Sequence, residues 1–115
     1  MTPEQELLSK AADRIERVGL AKGTWVNTRV NGEERSPDVS PCCTMGAISL
    51  ELHPEIASPN FLPDPYRSAA RRAEALLVAQ LGLASQPNGF ADIVEWSDNH
   101  TQEEVVAALR SAAAA

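Results

Sequence analysis

Aromatic residues are scarce in this chain: Trp25, Phe61, Tyr66, Phe90 and Trp96 make up 4% of it. So few rings give a modest core. Only two cysteines occur, and they are neighbours, Cys42 and Cys43. A disulfide framework needs separated cysteines. A bridge between neighbours would be strained, because adjacent Cα atoms lie only ~3.8 Å apart. Reduced thiols are therefore expected. No apolar run approaches the roughly 20 residues that a membrane helix needs. The opening Met1-Thr2-Pro3-Glu4-Gln5-Glu6 is polar and acidic, unlike a secretory signal, which points to the cytoplasm. A sequon at Asn99-His100-Thr101 then has no expected use. The Gly19-x-x-x-Gly23 spacing lacks the lysine and the preceding strand of a phosphate loop.

Basic residues are also few. Eight arginines and two lysines face sixteen acids, for a formal charge of −6. Between residues 73 and 109 there is no Lys or Arg, while Glu74, Asp92, Glu95, Asp98, Glu103 and Glu104 all fall there. The C-terminal third is thus an acidic surface, either a solvated face or a docking face for a basic partner. Arg67, Arg71 and Arg72 form the one dense basic group, and three bases on an acidic domain argue against nucleic-acid binding.

What is present is ordinary for one globular domain of 115 residues, 43% of them hydrophobic. The pattern predicts a mainly α domain of about four helices around a short buried central helix, with a small β-hairpin near 23–36. The first helix should start at Thr2 as N-cap with Pro3 next, and stop at Gly19. Leu7, Leu8, Ala11, Ala12, Ile15 and Val18 give it one apolar stripe. Trp25, Val26, Thr28 and Val30 have strand character and run into a turn at Asn31-Gly32. Ser40 before Pro41 predicts the start of a central helix over about 41–52. Its apolar residues fall on two faces, with Cys42, Gly46 and Ser49 between them, as expected of a helix buried on all sides. Gly46 costs helix propensity and so implies close approach of another backbone.

Residues 53–65 hold four prolines and predict a loop pinned to the core by Phe61 and Leu62. Asp64 and Pro65 should open the next helix, with a stripe through Tyr66, Ala69, Ala70, Ala73, Leu76, Leu77 and Leu81. Gly82 or a Pro87-Asn88-Gly89 turn should close it. Phe90, Ile93, Val94 and Trp96 read as a short apolar segment, helical or extended. Thr101-Gln102-Glu103-Glu104 fits a capping box for the last helix. A homodimer could bury the alanine-rich faces, though no residue requires one.

Three pieces taken together carry a resemblance. They are Trp25, the run Cys43-Thr44-Met45-Gly46-Ala47-Ile48, and Trp96-Ser97-Asp98 followed by Thr101-Gln102-Glu103-Glu104-Val105. The chain resembles a family of small domains of unknown function from actinobacteria and their phages. That family's pattern is a Trp, then Cys-x-x-Gly-Ala, then Trp-Asn-Asp and a Thr-x-x-Glu-Val helix. Ser97 stands where the pattern has Asn. The resemblance implies a bacterial cytoplasm, or that of the host cell if the protein is phage-encoded, and it implies no activity.

The remaining chemistry is limited. A thiol near a helix N-terminus is activated by the unpaired N–H groups there, and a thiol enzyme also needs a base. Cys42 with His100 and Asp98 is the possible triad. The simpler reading makes both cysteines small buried hydrophobes. Cys42, Cys43, His53 and His100 have the number but not the spacing of zinc ligands, so no metal and no cofactor are expected. The leading expectation is a non-enzymatic interaction module that binds a protein through Glu95, Asp98, Glu103 and Glu104 or the 53–65 loop. The alternative is a small thiol-dependent enzyme using Cys42 or Cys43 with His100. A DNA-associated regulator using Arg71 and Arg72 ranks third.

Overall fold

Thr2 begins the architecture by accepting from the Gln5 amide, while the Gln5 side chain accepts from the Thr2 amide. This reciprocal cap satisfies two of the orphan donors at the start of α1 (Pro3–Val18). The computed structural model describes residues 1–83 and 90–115. Along α1, Leu7, Leu8, Ala11, Ala12 and Ile15 are buried, and Gly19 ends the helix as expected. Arg14 is buried with them at only 4% exposure. It reaches Glu51 at 2.6 Å and the carboxylate and carbonyl of Asp38 at 3.0 Å, so each nitrogen of the buried guanidinium has a partner.

After α1 the chain forms a two-stranded antiparallel hairpin, β1 (Arg29–Val30) and β2 (Glu33–Glu34). Asn31 and Gly32 both take positive φ, 53° and 80°, which a tight hairpin turn requires of its two central residues. A 3-10 turn follows at Pro37–Val39.

The central helix, α2 (Thr44–Leu52), starts later than Ser40-Pro41 predicts, with Cys43 as its cap. The reason is a competing use of the backbone. Cys42 donates to the Gly19 carbonyl at 3.2 Å and accepts from Ala21 at 2.9 Å, while Asn27 donates to Pro41 at 2.8 Å. Cys43 donates to the Trp25 carbonyl at 3.1 Å. These bonds hold residues 41–43 extended, bridged on one side to Leu20 and on the other to Val26. The Ser40 hydroxyl, meanwhile, donates to Ser36. Every residue from Thr44 to Leu50 is buried, so the helix does occupy the centre of the domain.

A second 3-10 turn, Pro59–Phe61, leads to α3 (Tyr66–Leu81). Two expectations need correction here. Leu62 is fully buried, but Phe61 is 77% exposed and pins nothing. The helix begins at Tyr66 rather than at Pro65, and the Asp64 carboxylate accepts from the Ser68 hydroxyl instead of capping a backbone amide. The buried face of α3 is also rotated. It takes in Ala70, Ala73, Glu74 and Leu77 and leaves Tyr66 exposed.

Gly82 ends α3 in a left-handed conformation. The Pro87-Asn88-Gly89 turn lies outside the described residues. The apolar segment that follows is helical, α4 (Phe90–Asp98), and this makes five α-helices among the described residues where about four were expected. Thr101 then caps α5 (Gln102–Ala114) through the anticipated capping box with Glu104. Helix α1 packs along α5 and also against α2 and α3, while α2 touches α1, α3 and α4. One core results, built around Leu8, Ile15, Met45, Ile48, Leu50, Leu77, Ile93 and Leu109.

Candidate functional site

The two thiols differ in place but share burial. Cys42 is fully enclosed, with its backbone bonded on both sides. Burial, with Cys43 beside it, pushes its pKa up to about 12. Cys43 caps α2, its Sγ accepting from the Gly46 amide at 3.3 Å. Burial raises this thiol too, against the lowering pull of the Gly46 and Met45 amides. Both thiols hold structural positions, and burial disfavours the charged form of each.

His100 follows α4 and sits against Trp96. Its ring packs on Trp96 with centroids 4.9 Å apart, and Nδ1 donates to the Trp96 carbonyl at 2.6 Å. A carbonyl only accepts, so Nδ1 carries a proton. His100 lines a shallow groove of about 310 Å³ with Leu83, Asp92, Glu95, Trp96 and Asn99. Asp98 instead shares a cleft with Cys43. Its Oδ1 accepts from the Gly23 amide at 3.1 Å, which ties the end of α4 to the segment after α1.

That cleft has a volume of about 350 Å³ and is lined by Gly23, Thr24, Trp25, Cys43, Val94 and Asp98. Its mouth is exposed at Gly23 and Thr24, and its deepest wall is the nearly buried Cys43. Trp25, Asp98 and Val94 are partly buried between them. Residues 23–25 and α4 are brought together by the backbone bond from Cys43 to Trp25 and by a second contact that the sequence did not suggest. Ser97 is fully buried at the N-terminus of α2, where its Oγ accepts from the Thr44 amide at 3.3 Å and from the Thr44 hydroxyl at 2.8 Å. A serine from α4 thus satisfies the Thr44 amide at the start of α2, which the local cap at Cys43 leaves open.

Of the acidic residues picked out above, Glu95, Glu103 and Glu104 are exposed and Asp98 is partly buried. Glu104 is committed to the α5 cap, where the Thr101 amide and hydroxyl hold its carboxyl below the usual range. The basic group is partly used within the fold: Arg72 pairs with Glu4 at 2.9 Å and Arg67 donates to the Asn60 carbonyl at 2.9 Å. Among the described residues no group of three or more His, Cys, Asp or Glu is placed to hold a metal ion. No described helix is long and apolar enough to cross a membrane.

The chain belongs to DUF6197, a family of unknown function whose model matches residues 1–115. No curated protein and no solved structure matches it.

Proposed function

We propose that this domain is a non-enzymatic interaction module that binds a protein partner through the acidic surface of α4 and α5. The observation that carries the reading is a division of labour among the polar groups. Cys42 and Cys43 are buried and serve the fold, whereas the Glu95 and Glu103 side chains are exposed and their carboxylates make no hydrogen bond or ion pair among the described residues. A thiol enzyme would need the reverse arrangement, a thiolate within reach of solvent and of a base. The sequence motifs around Trp25, Gly46 and Trp96 support an actinobacterial or phage setting, with the partner in the same cytoplasm or that of the host.

The test compares capture of binding proteins by three forms of the purified domain, quantified by mass spectrometry. These are the native chain, Glu95→Lys with Glu103→Lys, and Cys42→Ala. Glu104 is left alone because it holds the α5 cap. A partner retained by the native chain and by Cys42→Ala, and lost on charge reversal, supports the reading. Capture that ignores the charge reversal overturns it.

A further inference from the structure

The cleft beside Asp98 says something about the group that such a partner presents. This step rests on the interaction-module reading and deepens it. Among the described residues that line the cleft, Asp98 is the one that carries a charge. The bond from the Gly23 amide to Oδ1 holds the carboxylate in place. Trp25 and Val94 add apolar wall, and the uncharged Cys43 thiol closes the deep end. Glu95 on the same helix is exposed and adds a second negative charge, in the neighbouring groove beside Trp96. Lys22, the neighbour of Gly23 in the chain, is exposed and contributes its charge towards Glu104.

We propose that this cleft receives an arginine side chain from the protein partner. A guanidinium is planar and weakly hydrated, packs against aromatic and apolar walls, and donates through a fork that suits a fixed carboxylate. A lysine ammonium is more strongly hydrated and gains less from apolar walls. A phosphate or carboxylate would meet the Asp98 carboxylate at the cleft, so an anionic ligand is disfavoured.

The test is an NMR titration of the ¹⁵N-labelled full chain with Nα-acetyl-arginine amide. Nα-acetyl-citrulline amide, which has nearly the same shape and no charge, is the control. The arginine probe should bind weakly and move the Gly23 and Thr24 amides and the Trp25 indole, while citrulline leaves them still. Asp98→Asn keeps the Oδ1 acceptor for Gly23 and should weaken the arginine probe about ten-fold, the loss of one charge-assisted bond. Equal shifts with citrulline, shifts confined to other surfaces, or no effect of Asp98→Asn would each overturn the inference. The wild-type titration map stands even if the variant folds poorly. The two readings also fail separately. If a captured partner depends on Glu95 and Glu103 but the cleft ignores arginine, only the cleft inference falls. If no partner depends on those acids, the module reading falls whatever the titration gives.

Discussion

Gly46 sits directly against the carbonyl oxygen of Trp25, so closely that a Cβ on Gly46 would collide with it. That carbonyl is the acceptor for the Cys43 amide, so the crowded contact also holds the chain that leads into α2. Gly46→Ala sets two effects against each other. Alanine gains about 1 kcal/mol of helix propensity. It must also push back a backbone oxygen, and overpacking of this kind typically costs about 1–3 kcal/mol or more. Backbone cannot swing aside as a long side chain does, so the second effect wins. We expect Gly46→Ala to lower stability by about 2 kcal/mol in urea unfolding, and a variant as stable as the native chain would show that residues 23–25 move freely.

The thiols should be chemically silent in the folded protein. Burial raises both, Cys42 to about 12, and neither is exposed. Alkylation followed by mass spectrometry from pH 5 to 9 should label them only as fast as the domain opens, and quickly once denaturant is added. Rapid native labelling of Cys43, the thiol nearer solvent through the cleft, would revive the enzyme alternative.

Ser97 links α4 to α2 through one hydroxyl that serves both the amide and the hydroxyl of Thr44. Ser97→Ala removes that acceptor and leaves the Thr44 amide buried without it. An unsatisfied buried donor costs about 1–3 kcal/mol. Thermal or urea unfolding should show a loss in that range. Thr101→Ala, which removes a cap exposed to water, should cost closer to 1 kcal/mol.

The contrast between these two caps explains what the sequence makes legible. Thr2 with Gln5 and Thr101 with Glu104 are caps made by residues three apart, and such spacing is visible in the sequence. The burial of α2 on all sides and the backbone contact at Gly46 could also be read, because periodicity and an expensive glycine carry that information. The true start of α2 could not. Ser40-Pro41 is a good local start signal, but residues 41–43 are drawn into bonds with residues 19–21 and 25–27, and these non-local partners override local preference. The cleft was hidden for the same reason: Gly23, Thr24 and Trp25 meet Val94 and Asp98 from about seventy residues away along the chain. The triad of Cys42, His100 and Asp98 rests on local position, a thiol near a helix start and an acid two residues before a histidine, and local position does not say which of these side chains meet. In the fold Asp98 shares its cleft with Cys43, while His100 lines the groove beside Trp96.

Glu74 is the acid whose behaviour the sequence least suggests, since its place on α3 reads as part of a solvated face. It is 3% exposed, next to Ala73 in the buried stripe, and burial raises its carboxyl to about 7 despite the nearby Arg71. In the unfolded chain a glutamate titrates near 4.3. The folded state therefore holds this proton more tightly, and between about pH 4.3 and 7 it binds more protons than the unfolded state does. Stability from this group is complete below the unfolded value and is lost as the pH rises through about 7. The full penalty above that pH is roughly 3–4 kcal/mol, and most of it is incurred between pH 5 and 8. Glu74→Gln keeps the shape and removes the ionisation. Unfolding measured at pH 5 and pH 8 should show the native chain losing stability across that interval relative to the variant, with Glu74→Gln the more stable of the two at pH 8. Parallel pH profiles for the two proteins would place Glu74 in contact with water.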